Sequence, residues 1–198
     1  MQWRPEGFNI PVLEAGWNYI LYGKKVMRYL ILTIFVFSAA KGFSQSVSTL
    51  EPAQYFDFWV GVWNVEWEQA DGERGKGTNT ITKTLDDVVI REEFRVHEGT
   101  FAGMKGTSIS VYNPQPGQWK QAWADNQGGF LSFTGAMEGE KRIFQTEVVE
   151  LEDGRRFTQR MVFYNITEKS ITWDWETSNN GGESWALIWR IFYTRMFD

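Results

Sequence analysis

The 198-residue chain has no cysteine, which excludes disulfide bonds, thiolate metal sites and a cysteine nucleophile. It has one histidine, His97, so a zinc site would need carboxylates alone or that ring plus acids. Neither an H-x-x-x-H nor a D-x-D-x-D-G spacing occurs, and no G-x-S-x-G supports a serine nucleophile. Glycines stand at turn positions rather than in a phosphate-cradling loop. Basic residues are the minority, 20 Lys and Arg against 25 Asp and Glu, and they form no cluster suited to a nucleic-acid backbone. Long apolar runs are missing too. The run at 29–37, YLILTIFVF, is about half the ~20 residues of a membrane-spanning helix.

That short run sits in a telling context. Lys24, Lys25 and Arg28 precede it and SAAKGFSQ follows it. A basic start, a short apolar stretch and small residues at a cut describe a secretory signal peptide. A buried helix or a membrane anchor is the competing reading. Gly42 and Ser44 fit the −3 and −1 positions of cleavage before Gln45, and Met27 suits an initiator. The expected organisation is therefore an upstream extension at 1–26 that is not made in the cell, a signal peptide at 27–44, and one domain at 45–198. That domain holds 15 basic and 23 acidic residues. A secreted or periplasmic location follows, with no stable membrane span after signal removal.

What the chain has in abundance is aromatic rings, 17% of residues with eleven tryptophans. FDFWVGVWNVEWE, at 56–68, carries three of them. From Trp59 onward the dominant pattern is period-two alternation broken by turn residues such as NPQPG, NQGG and NNGG. It predicts ten strands, at 59–69, 77–84, 87–97, 105–113, 118–124, 129–137, 141–151, 155–164, 170–177 and 185–195. A short helix is expected over 51–58, capped by Ser48 or Thr49, with Pro52 in its first turn. Uniformly short connections favour an all-β, ten-stranded antiparallel up-and-down barrel over a Greek-key sandwich.

Strand parity groups Trp63, Val65 and Trp67 on one face. It likewise groups Val88, Ile90, Phe94 and Val96; Trp119, Gln121 and Trp123; Ile171, Trp173 and Trp175; and Trp185, Leu187, Trp189, Ile191 and Tyr193. Rings this large, lining a barrel of this size, would shape a cavity rather than fill it.

Gly61-Val62-Trp63 at the first strand and Arg195 in the last resemble the calycin superfamily of lipocalins, fatty-acid-binding proteins and nitrobindins. That resemblance implies a structural pair at the closed end, with Arg195 across the ring of Trp63. FDFWxGxW, GTSISVYN, WKQAWAD and SNNGGESW are similar to an uncharacterised, mostly bacterial and often exported family with a calycin-like barrel, which brings no established reaction. SNNGGESW also resembles the Asp-box hairpin turn of sialidase propellers, but it occurs once, not periodically. Nitrobindins hold haem through a histidine near the chain's end, and the last strand here has none. No cofactor is therefore expected, and His97 falls on the polar face of the third strand.

Glu92 interrupts the third strand's apolar face, where a carboxylate needs a partner or a role. It would be either the ion-pair partner of Arg142, Arg160 or Arg195, or the polar contact of a bound molecule. Asp125 would either point inward at its strand's end or cap the DNQGG turn. Trp67, Trp119, Trp123, Trp173 and Trp175 are the candidate apolar lining, with Glu92 and Gln121 as polar contacts. The expected function is binding of a small apolar or amphipathic molecule. The alternatives are an enzyme using Glu92 or Asp125 as acid or base, and carbohydrate binding by exposed tryptophans.

Overall fold

The computed structural model describes residues 50–70 and 72–197. The extension, signal peptide and cleavage point expected from the sequence lie outside the described residues, as do both candidate helix caps.

Among the described residues eleven strands run in chain order: β1 (Gly61–Glu68), β2 (Arg74–Thr84), β3 (Val89–Glu98), β4 (Lys105–Asn113), β5 (Gln118–Asp125), β6 (Phe130–Glu138), β7 (Lys141–Gln145), β8 (Val149–Glu150), β9 (Arg156–Tyr164), β10 (Ser170–Ser178) and β11 (Ala186–Arg195). Setting aside the two-residue β8, which attaches to the edge of β9, each strand pairs antiparallel with the next, and β11 returns to β1. The result is a closed ten-stranded up-and-down barrel, which leaves no long edge unpaired.

Local differences from the sequence pattern have physical causes. The expected single helix is two 3-10 turns, Pro52–Gln54 and Asp57–Trp59. The expected seventh strand stops at Gln145 and resumes only as β8. Val88 is exposed, because residues 85–87 take positive φ in a tight turn that ends before β3 begins. In β11 a bulge sets Trp189 opposite Trp175 but Leu187 opposite Glu176. The extra residue flips the parity, so Leu187 is exposed, while Trp189, Ile191 and Tyr193 stay with the interior.

One end of the barrel is sealed by the segment before β1. Phe56 stacks on Phe144 at 4.1 Å and meets Trp119 edge-on at 5.2 Å, and Trp59 meets Phe163 at 5.1 Å. The indole N–H of Trp119 donates to the carbonyl of Pro52 at 2.7 Å. Arg195 lies 4.0 Å over the ring of Trp63 and donates to the carbonyls of Val60 and Phe58 at 2.8 and 3.2 Å. Gly61 explains the first residue of G-x-W. A Cβ there would lie 2.0 Å from the Arg195 guanidinium, and its φ of 143° is one that L side chains rarely adopt.

Inward glycines recur beside inward rings. A Cβ on Gly75 would meet the Trp67 indole at 2.1 Å, and one on Gly106 would meet Trp123 at 2.0 Å. Each indole lies across the adjacent strand, over the place where that strand carries no side chain.

Candidate functional site

Away from the sealed end, the barrel opens into a cavity of about 330 Å³. Three strands supply its four indoles: Trp123 from β5, Trp173 and Trp175 from β10, and Trp189 from β11. With two phenylalanines they form a continuous chain of ring contacts, Phe133–Trp175–Trp173–Trp189–Phe94–Trp123, at centroid spacings of 5.9 to 6.3 Å. Trp173 and Trp175 are nearly parallel at 12°, and Trp189 stands at 90° to Trp173. Met104, Leu131, Met161 and Ile191 complete the apolar surface.

Glu92 lies toward the inner end, buried, between Asn79 of β2 and Ser108 of β4. It accepts from Asn79 Nδ2 at 2.7 Å and from Ser108 Oγ at 2.6 Å. Asn79 Nδ2 also donates to the hydroxyl of Tyr193 at 3.1 Å, and Gln121 Nε2 donates to Ser108 and Ser110 at 3.3 and 3.0 Å. Asn79 Oδ1 and Gln121 Oε1, both acceptors, have no partner in this network, and the indole N–H of Trp189 is likewise unpartnered. Burial pushes the Glu92 carboxyl up to about 7, against the smaller opposing pull of the Ser108 and Asn79 hydrogen bonds. Burial also raises the Tyr193 phenol, and the nearby Glu92 charge adds to the effect.

None of the arginines considered as partners reaches Glu92. Arg142 donates to the carbonyls of Tyr55 and Glu140, and Arg160 pairs with Glu176 at 2.6 Å while stacking on Trp185. Arg195 is engaged at the sealed end. The ion-pair reading of Glu92 is therefore replaced by hydrogen bonds from uncharged partners, Asn79 and Ser108.

Asp125 also lines the cavity, nearer the mouth. Its Oδ1 accepts from the backbone N–H of Gly129 and of Gln127, each at 2.9 Å, and its Oδ2 accepts from the Trp123 indole at 3.2 Å. These bonds, the Gly129 N–H first, hold its carboxyl below the usual range. The side chain thus both caps the turn and faces the cavity. Across the register Glu92 is level with Ser108 and Ser108 with Trp123, so Asp125 is two strands away and one inward position farther out. Two strand spacings come to roughly 10 Å. The two acids do not converge on one point.

Of the lining named from the sequence, Trp123, Trp173, Trp175 and Glu92 meet in the cavity. Trp119 belongs instead to the sealed end. Trp67 backs the wall, edge-on to Trp189 at 5.1 Å, and Gln121 sits in the hydrogen-bonded layer around Glu92. Phe133, Gln159 and Met161 were missed as site residues, although alternation in β6 and β9 carried the signal. No described tryptophan is fully exposed; Trp185, half-buried, stacks on Arg160 away from the cavity, and the indoles named as candidate lining are buried or half-buried. His97 is exposed on the outside, with Nε2 3.0 Å from the Thr78 hydroxyl. Among the described residues no group of three or more metal-ligating side chains gathers, and no helix is long and apolar enough to cross a membrane.

No family model and no curated protein matches the chain. Among solved structures it is similar to a de novo designed fluorescence-activating β-barrel, at 12% identity over 74% of this chain and 99% of that one, with a TM-score of 0.39. A redesigned β-barrel matches at 9% identity over 76% and 99%, also with a TM-score of 0.39. A protein of unknown function from the DUF3598 family of Nostoc punctiforme matches at 7% identity over 74% and 100%, with a TM-score of 0.23. Likenesses this weak carry nothing about ligand or reaction.

Proposed function

We propose that this protein is exported and binds a small apolar or amphipathic molecule inside its barrel. The observation that carries this reading is the indole-walled cavity of about 330 Å³ with a small polar cluster at its inner end. Ligand sites have this composition, a mostly apolar wall with a few placed polar groups. A sealed, fully packed barrel core would have no such space.

Export is supported by the basic-apolar-small pattern at 24–44. Native mass spectrometry of protein secreted by its own host tests both parts. A polypeptide beginning at Gln45 and carrying a retained small molecule is the expected result. An intact Met1, or retention of residues 29–37, would overturn export. Protein that leaves its host empty and takes up no apolar probe would overturn binding.

A second reading, an enzyme with Glu92 as general acid or base, draws on the carboxyl raised to about 7, the range such a group needs at neutral pH. The separation of Asp125 leaves Glu92 without a second acid, which favours binding over catalysis.

A further inference from the structure

We infer that the cavity selects organic cations: an ammonium group, methylated or not, carried on an apolar or aromatic body. This deepens the small-molecule reading and rests on it.

Three observations point the same way. The first is the charge of the wall. Among the described residues the cavity's charged side chains are both acids, Glu92 toward the inner end and Asp125 near the mouth, and no described lysine, arginine or histidine lines it. A fatty acid or other carboxylate would find no counter-ion there and would meet like charge. The second is the wall itself. Four indoles and two phenylalanines meet in one chain of contacts, several pairs nearly perpendicular, so faces and edges both border the space. Aromatic faces attract cations through the ring quadrupole, indole most strongly, and the attraction grows where water is excluded. The third is the hydrogen-bonding balance around Glu92. Its carboxyl lines the cavity and accepts from Asn79 Nδ2 and Ser108 Oγ. A guest bringing donors or positive charge complements that acceptor; a guest bringing only acceptors to it does not.

The groups facing Glu92 are Asn79 from β2, Ser108 from β4, Gln121 from β5 through Ser108, and Tyr193 from β11 through Asn79. Tyr193 is the one other titratable group in that cluster, and its phenol is held neutral well above physiological pH. The pH response of the inner site therefore belongs to Glu92. A bound cation stabilises its carboxylate form, so binding near neutral pH expels a proton to solvent.

Isosteres separate charge from shape. Benzyltrimethylammonium and neopentylbenzene differ by N⁺ against C at one atom, and phenylacetate supplies an aromatic anion. Titration calorimetry at pH 8.5 should show the ammonium binding at least about ten-fold more tightly than its neutral isostere, with phenylacetate weakest. At pH 5.5 the preference for the ammonium should shrink several-fold. Near pH 6.5 its binding heat should vary with the ionisation enthalpy of the buffer, because a proton leaves. In Glu92→Gln that buffer dependence should vanish. Neutral binding equal to or tighter than ammonium binding at pH 8.5, or no proton release from the wild-type protein, overturns the cation assignment alone. Failure of all three probes to bind overturns this inference and the cavity's binding role together. Both wild-type results stand whether or not the variant folds.

Discussion

At the scale of single residues, Glu92 was legible as an anomaly but not in its environment. Alternation placed it inward with Ile90 and Phe94, and inward it is. What alternation could not show was that strands β2, β4 and β5 each contribute a polar side chain around it, Ser108 level with it and Asn79 and Gln121 one inward position away. Those residues sit in ordinary alternating strands, and their convergence depends on cross-strand register. The cluster has a thermodynamic signature. Below about pH 4.5 the carboxyl is protonated in both folded and unfolded chains. Between there and about 7 the folded chain holds a proton that the unfolded chain releases, so stability falls as pH rises. Above that window the full penalty applies, about 3 kcal/mol for a shift of this size. Glu92→Gln should accordingly be near neutral at pH 4.5 and more stable than the wild-type protein by a few kcal/mol at pH 8. Urea unfolding at the two pH values measures it. A variant less stable than wild type at both would mean that the carboxylate is held by a positive partner after all.

At the scale of elements, β3 and β5 follow simple alternation, whereas β11 does not. Nothing in ALIWRIFYTR marks the bulge that turns Leu187 outward, because its residues on either side are equally apolar. The inward glycines are the opposite case. Gly75 and Gly106 stand within strands, where glycine is unfavourable, and each marks a neighbouring indole laid across it. The sealed end joins three elements through one side chain. Arg195 of β11 covers Trp63 of β1 and ties down the turn before it through the Phe58 and Val60 carbonyls. Trp63→Ala should lose ~3–5 kcal/mol, since the ring is fully buried. Arg195→Ala should also destabilise, and the double variant should lose less than the sum, because each single change already removes the shared contact. Strict additivity in denaturant melts would show that ring and guanidinium do not act as a unit.

At the scale of the whole molecule, the barrel was the most legible feature. Ten alternating segments with short turns admit few closures, and an error in one strand's ends leaves the ring intact. The division of the interior was harder to see, because the same residue types, tryptophan and phenylalanine, build both the sealed end and the cavity wall. Trp119 and Trp123 share a strand and a face, yet one is pinned to Pro52 and the other borders open space. That crowding of indoles also gives the protein an optical character. Trp189 stands perpendicular to Trp67 at 5.1 Å and to Trp173 at 5.9 Å. Electronic transitions on chromophores so close do not absorb independently; they mix into delocalised excitations of definite handedness. The circular dichroism of the indole bands should therefore show a paired positive and negative lobe, and Trp189→Phe, which removes two of the close pairs and leaves Trp173 beside Trp175, should weaken it while the β-sheet signal persists. A guest wedged among these rings would reorient them and reshape the couplet, so the chain carries its own spectroscopic reporter of occupancy.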